Sequence, residues 1–345
     1  MAVAAELRAS GAEVSFLGTR ERIEAELAPA AGYEIDFLKA RGVDRRNPLK
    51  AALAGVEALV AVEAARRAIR ARRADVVMGG GGFVAGPAGL AAALSGVPLV
   101  LTEADSHLGL ANRLLAGRAR RVCLAFPIAG REGERYAVTG RPVPKAVLRA
   151  DRSRARERFG IPPDARCLLV IGGSQGARSV NFAALEAFAE RDGGDDDRDF
   201  HVVHVAGRRD FEELEDRLAA APHRDRYTLL AYEPDLGDCL AACDLVLGRA
   251  GGSIFELTAA GRPALLVPYP HATAGHQSAN AAWMAEAGAA VVLPDAELSA
   301  ARLIVEVRGL LDDEHRLASM TAASASLAKP DAARRIADEV LRAVR

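Results

Sequence analysis

Apolar and polar positions along this chain alternate between two rhythms. Short apolar runs, bounded by glycine, proline or charge, predict strands at Glu13–Leu17, Glu34–Leu38, Val76–Met78, Leu99–Leu101, Val122–Ala125 and Ala137–Thr139. A second set follows at Cys167–Ile171, Val202–Val205, Tyr227–Leu230, Leu245–Leu247, Ala264–Val267 and Ala290–Leu293. Helical spacing of apolar residues separates most of them. Such alternation implies parallel sheets covered by helices on both faces. Two sets of about six strands predict an α/β chain of two doubly wound domains. The join falls in "GRPVPKAVL", Gly140–Leu148, where two prolines interrupt the rhythm. The acidic run Arg191–Asp199 reads as a solvated loop. A helix over Ala2–Arg8 precedes the first predicted strand, whereas a doubly wound domain normally opens on a strand and a glycine-rich turn. The expectation is that this chain lacks that first strand and loop.

Three glycine-rich turns stand at the ends of predicted strands. They are Gly79–Gly82 in "VVMGGGGFVAGPAG", with a helix expected near Pro87, "IGGSQGARSVN" from Ile171, and "LGRAGGSIFEL" from Leu247. Glycine costs backbone entropy on folding, so a run of four after a strand needs a reason. Bare amides at a helix N-terminus suit a phosphate, because the helix dipole places partial positive charge there. No turn carries the lysine of a Walker loop, and none is a clean dinucleotide fingerprint. Each alone can equally serve tight strand–helix packing. Three together, at the strand ends where open α/β sheets bind ligands, point to a phosphate-bearing substrate gripped from two lobes.

Composition narrows the partners. With 345 residues and half of them apolar, the chain can bury two cores. A net charge of −1 argues against wholesale nucleic-acid binding. Cys123, Cys167, Cys239 and Cys243 form no CxxC pair and read as reduced core thiols of a cytoplasmic protein. No run approaches the ~20 apolar residues of a membrane span, and no signal peptide is visible. His271 and His276 lack an evident third ligand, so no metal is expected.

The stretches "DVVMGGGGFVAGPAGLAAALSGVPLVL", "GGSQGARSVN" and "GRAGGSIFELTAAGRPALLVPYPHATAGHQSANA" resemble, nearly end to end, glycosyltransferase family 28. More closely, they are similar to its members that add N-acetylglucosamine to the lipid-linked muramyl-pentapeptide of peptidoglycan. The resemblance implies a GT-B fold. Residues 1–142, with the C-terminal helix 330–345 packing back, would hold the acceptor and face the membrane; residues 143–329 would hold the UDP-sugar. By motif, Ser174 would contact the UDP-sugar and the backbone of Glu233 the uracil. Gly251, Gly252 and Ser253 would offer amides to the phosphates, and Glu256 would accept from the ribose hydroxyls. His276, Gln277 and Asn280 would read the sugar. Gly79, Gly80, Gly81 and Gly82 would hold the acceptor diphosphate, with Glu103 and Asp105 nearby. No metal and no cofactor is implied. The partners implied are UDP-N-acetylglucosamine, the undecaprenyl-linked muramyl-peptide and an anionic membrane surface on the inner face of the cell membrane.

Some residues also read blandly. Glu256 can be a solvated helix residue, Ser174 a helix cap, and Gln277 with Asn280 a plain helix face. The sequence departs from the family pattern in places. The family's opening loop carries a histidine, its leading general-base candidate; that position is expected upstream of Met1, so the catalytic base is unassigned. The family's HEQN-type motif reads Thr102-Glu103-Ala104-Asp105, and its arginine after the domain join is replaced by Pro144 and Lys145. Arg45–Val60 mixes Arg45, Arg46 and Lys50 with Leu53, Val56, Leu59 and Val60, which fits either an anionic leaflet or a helix packed on its sheet. Three further readings stay open: a related glycolipid transferase, a UDP-sugar epimerase, and a non-catalytic UDP-sugar-binding protein.

Overall fold

The computed structural model describes residues 1–39, 48–172, 176–191, 200–234, 236–272 and 275–344. Contacts divide the chain into two compact units, Met1–Pro142 with Asp331–Arg345, and Val143–Pro330.

The second unit is a six-stranded parallel sheet. Its strands are β7 (Arg166–Ile171), β8 (Phe200–Val205), β9 (Tyr227–Leu230), β10 (Leu245–Gly248), β11 (Ala264–Leu266) and β12 (Ala290–Val292), in the order β12-β11-β10-β7-β8-β9. β7 sits centrally, which is why its sequence is an unbroken apolar run. Leu168, Leu169 and Val170 are all fully buried. A strand covered on both faces needs no polar alternation, and each such side chain contributes about 1.5–3 kcal/mol. Helices Arg178–Leu185 and Ala300–Leu311 cover one face, burying Val180, Ala184, Leu303 and Val307 in one core with Leu168 and Val170.

The first unit contains β1 (Ser15–Gly18), β2 (Glu34–Phe37), β3 (Val77–Gly79), β4 (Leu99–Glu103), β5 (Arg121–Leu124) and β6 (Tyr136–Val138). Among the described residues these six do not form one sheet. β1 pairs in parallel with β2 only, and β3-β4-β5-β6 form a separate parallel sheet. Both halves nevertheless lie under the same helices: Leu17 of β1 and Val77 of β3 pack against one cluster containing Ala65, Ile69, Ala91 and Ala92. Among the described residues no ladder joins β1 to β3. The apolar pattern sets where strands form, but a ladder needs a backbone partner along each edge. Met78 of β3 is accordingly 39% exposed, whereas Val100 and Leu101 of β4 are fully buried.

The helix Ala332–Val344 belongs to the first unit. Ile336, Ala337, Val340 and Ala343 pack with Val3 and Leu7 of the helix Ala2–Ala9 and with Val100 and Cys123. All four cysteines are buried free thiols. Burial pushes the thiols of Cys123, Cys239 and Cys243 up to about 12, so they are core residues and not reactive thiolates. No described helix is long and apolar enough to cross a membrane. The acidic stretch 192–199 lies outside the described residues.

Candidate functional site

The sheet order of the second unit decides where its turns meet. Counting from β7, the order runs one way through β8 and β9 and the other way through β10, β11 and β12, so direction reverses between β7 and β10. Ligands of open parallel sheets bind outside the carboxyl ends of the strands at such a reversal. The strands leading into the second and third glycine turns are the pair that flank it. Ile171 lies opposite Gly248 in the ladder, and a Cβ on Gly248 would stand 2.7 Å from the Ile171 carbonyl oxygen. The two turns therefore leave the sheet side by side, which the linear sequence, separating them by a long stretch, does not reveal.

The third turn passes directly into a helix. Ile254, Phe255 and Glu256 donate backbone bonds to the carbonyls of Gly251, Gly252 and Ser253 at 3.2, 3.4 and 2.8 Å. Those carbonyls are thereby occupied directly ahead of the helix Ile254–Ala259. A Cβ on Gly251 would meet open space. Glu256 is half-buried in the first turn of that helix.

Asn280, which the motif assigns to the sugar, is not a plain surface residue. It is 3% exposed, and its Nδ2 donates to the Ala250 carbonyl at 2.9 Å. Asn280 thus holds the turn from behind, while its Oδ1 is buried without a hydrogen bond. Gln277 accepts from the Tyr269 amide at 2.9 Å, tying the helix His276–Glu286 to the segment after β11; His276 is half-buried one residue earlier. Glu233, beyond β9, turns its carboxylate toward Arg158 at 2.5 Å. Ser174 lies outside the described residues.

Arg249, within the third motif, carries a role that motif reading missed. Its guanidinium bonds the carbonyls of Val267 and Pro268 at 3.0 and 3.4 Å, Asp295 Oδ1 at 2.6 Å and Ser179 Oγ at 2.7 Å. One planar fork thus links the ends of β10, β11 and β12 to the helix after β7.

In the first unit, β3 runs into Gly79–Gly82. The helix begins at Gly82, five residues before Pro87, which lies inside it. That corrects the expected start near Pro87. Proline removes one helical hydrogen bond, but the buried Ala85, Ala88, Ala91 and Ala92 hold the helix down. Gly81 and Gly82 have φ of 83° and 78°, with open space where a Cβ would be. Here glycine is required by backbone conformation. Thr102 Oγ1 donates to the Gly79 carbonyl at 3.2 Å, fixing the turn to the end of β4.

Glu103 bonds mostly inward. It is 8% exposed; its Oε2 accepts from the Gly109 amide at 2.8 Å and Asn112 Nδ2 at 2.9 Å, and its Oε1 from the Asp105 amide at 3.2 Å. These bonds hold the loop after β4 in shape. Asp105 is exposed beside it. Asn112, which also donates to the Thr102 carbonyl at 2.9 Å, gave no signal in the sequence beyond an ordinary helix position. Among the described residues no group of three or more histidine, cysteine or acidic side chains is placed to hold a metal ion. Arg45 and Arg46, and the side chains of Lys50, Leu53 and Val56, lie outside the described residues; Leu59 and Val60 are exposed on the helix Pro48–Ala71.

Residues 1–124 match the glycosyltransferase family 28 N-terminal domain, and residues 167–336 match its C-terminal domain. The chain belongs to glycosyltransferase family 28. A relative from Moorella thermoacetica is 42% identical over 97% of this chain and 91% of its own length. One from Rubrobacter xylanophilus is 38% identical over 99% of both chains. Both are named UDP-N-acetylglucosamine–N-acetylmuramyl-(pentapeptide) pyrophosphoryl-undecaprenol N-acetylglucosamine transferases. The crystal structure of Acinetobacter baumannii MurG is similar with a TM-score of 0.80 and 28% identity, covering 99% of this chain and 94% of that one. The family-28 chain is thus a glycosyltransferase with the GT-B fold. A UDP-N-acetylglucosamine 2-epimerase described as putative, from Listeria monocytogenes, shares the fold at a TM-score of 0.65, but at 17% identity the likeness concerns fold alone.

Proposed function

We propose that this family-28 enzyme transfers N-acetylglucosamine from UDP-N-acetylglucosamine to the C4 hydroxyl of undecaprenyl-diphospho-muramyl-pentapeptide, with inversion. The observation that carries the reading is the side-by-side pairing of the ends of β7 and β10 at the point where strand order reverses, in a chain 42% identical over nearly its whole length to a transferase of that name. Inverting transfer is a single displacement. The acceptor oxygen bonds to the anomeric carbon as the bond to UDP breaks, and the acceptor proton passes to a base.

The second unit binds the donor. Amides of Gly251, Gly252 and Ser253 stabilise the negative charge that develops on the departing diphosphate, in the manner of an oxyanion hole. The Glu256 carboxylate accepts from the ribose hydroxyls. Ser174, Glu233, His276 and Gln277 complete the contacts, and Asn280 supports them by holding Ala250. The first unit binds the acceptor. Its Gly79–Gly82 turn takes the lipid diphosphate, Asp105 lies beside it, and Glu103 sets the shape of the adjoining loop. The exposed Leu59 and Val60 on the helix Pro48–Ala71 bring this unit to an anionic membrane surface.

The direct test incubates the protein with labelled UDP-N-acetylglucosamine and the lipid acceptor in anionic vesicles. Label in the lipid fraction is expected, and Glu256→Gln should weaken UDP binding by about tenfold or more, as loss of a charged hydrogen-bond partner does. Release of an altered UDP-sugar without lipid labelling would instead identify an epimerase. UDP binding with no turnover of either kind would identify a binding protein.

A further inference from the structure

The helix Arg152–Arg158 grips a second short helix, Leu236–Ala242, through arginine side chains. Arg152 Nη1 donates to the carbonyls of Ala241, Ala242 and Cys243 at 3.2, 3.2 and 3.0 Å, and its Nη2 donates to Asp244 Oδ1 at 2.7 Å. Arg156 Nη1 adds a bond to the Ala242 carbonyl at 3.3 Å. Those carbonyls close the second helix, where the negative end of the helix dipole favours cations. At the opening end of the same helix, Arg158 Nη1 donates to Asp238 Oδ2 at 3.0 Å. The second helix is therefore held at both ends by the first.

Arg158 does one thing more. Its Nη2 donates to Glu233 Oε2 at 2.5 Å. Glu233 is not on either helix; it lies in the segment between β9 and the helix Leu236–Ala242. Its side chain is only 7% exposed. A carboxylate withdrawn so far from water is stable when a charged donor meets it. Arg158 is such a donor, and its planar guanidinium holds Glu233 and Asp238 on one fork. That guanidinium lies over the Phe159 ring, 4.9 Å from its centroid. The neighbouring Tyr232 is 50% exposed, with the Arg208 guanidinium 5.1 Å from its ring centroid. The segment after β9 is thus tied to the helix Arg152–Arg158 through Glu233 and to the segment after β8 through Tyr232.

A base edge is read by direction. Uracil offers an N–H donor between two carbonyl acceptors, whereas cytosine offers a bare ring nitrogen beside an amino group. A backbone N–H and C=O distinguish these patterns when the peptide is fixed, and a peptide that can turn answers either one. A residue that reads a base with its backbone can be fixed through its side chain, and the side chain of Glu233 is fixed by Arg158.

We propose that Arg158 is a positioning residue for base recognition: by pinning the Glu233 carboxylate it sets the direction of the Glu233 backbone toward the uracil of the donor. This rests on the donor reading given above, which assigns the uracil to the Glu233 backbone. Arg158 does not touch the substrate; it acts through Glu233.

The test is Arg158→Met in the full chain, which keeps the bulk of the stem and removes the fork. Calorimetry compares UDP with CDP. UDP affinity should fall by about tenfold and CDP affinity by less than about twofold, so the preference for uracil narrows. In turnover, KM for UDP-N-acetylglucosamine should rise with kcat little changed. Arg158→Lys, a point charge that can meet one carboxylate, should fall between the parent and Arg158→Met, and it carries the test if the methionine variant does not fold. Glu233→Gln should narrow the same preference and add little when combined with Arg158→Met. Equal losses for UDP and CDP would make the ion pair merely structural and overturn the positioning role. Glu256→Gln, measured beside these, should weaken both nucleotides alike, because both carry the ribose. If it does so while Arg158→Met leaves the preference at the parent value, the positioning role is overturned and the donor reading stands. If the parent does not bind UDP, or Glu256→Gln leaves that binding unchanged, the donor reading falls and this inference with it.

Discussion

Glu103 gives the sharpest test of the difference between a side chain that contacts substrate and one that shapes a loop. Its three accepted hydrogen bonds come from two backbone amides and a buried carboxamide. In Glu103→Gln the single amide oxygen can keep the Gly109 and Asn112 donors at the Oε2 position. The new NH2 group then faces the Asp105 amide, donor against donor. A hydrogen bond to a charged group is worth about 1.5–3 kcal/mol, so the loss should be about 2 kcal/mol. In Glu103→Ala the amides of Asp105 and Gly109 lose their partner, whereas Asn112 keeps the Thr102 carbonyl; the cost rises to about 3–5 kcal/mol. For a unit of this size each kcal/mol lowers Tm by about 2–4 °C. The glutamine variant should therefore melt about 4–8 °C lower, and the alanine variant lower still. Calorimetry reads the two units as separate transitions if UDP is added, because a ligand raises only the transition of the unit that binds it. The shift should appear in the UDP-insensitive transition, with UDP affinity unchanged. A Glu103→Ala variant that loses the lipid acceptor but melts within ~1 °C of the parent would refute the reasoning and return Glu103 to the role of direct contact.

Two further outcomes follow from the same geometry. His204 is held neutral by burial, with its pKa pulled down to about 3 from an ordinary 6.5; a depressed value means its contribution to stability is complete above pH 6.5 and is lost as pH falls toward 3. Asp210, its carboxyl lowered chiefly by the Arg209 hydrogen bonds, acts in the same direction at lower pH. Urea midpoints taken between pH 7.5 and 4.5 should decline, and the decline should be shallower in His204→Gln; equal slopes would contradict the buried neutral imidazole. Separately, β1 and β3 are each paired along one edge only among the described residues, whereas β7 and β10 are paired along both. Amides of Ser15–Gly18 and Val77–Gly79 should exchange faster than those of Arg166–Ile171 and Leu245–Gly248; uniform protection would show that β1 and β3 are bridged in solution.

Much of this architecture was legible in one dimension. Each predicted apolar run forms a strand, with ends displaced by a residue or two, because a short apolar run between breakers leaves the backbone few other choices. The glycine turns were legible for a related reason: positive φ at Gly81, Gly82 and Gly176 excludes most other residues. Side-chain direction was not legible from motif positions. Glu103 and Asn280 occupy motif positions, yet they bond to loop backbone, since nothing in a residue's spacing tells which way its side chain turns. The helix around Pro87 was misjudged because packed alanines outweigh a local breaker.

The local sequence, then, decided the kinds and order of the elements and the places where backbone must bend as only glycine can, since those depend on neighbours within a few residues. Pairing was decided in three dimensions. The reversal that brings Ile171 alongside Gly248, the division of the first six strands into two sheets, and the alignment of Tyr227, His204, Asn181 and Asp210 all join positions far apart in the chain. Such contacts are selected by the shared burial of whole layers, and a hydrogen-bonded chain acquires its direction only when every donor has met its acceptor.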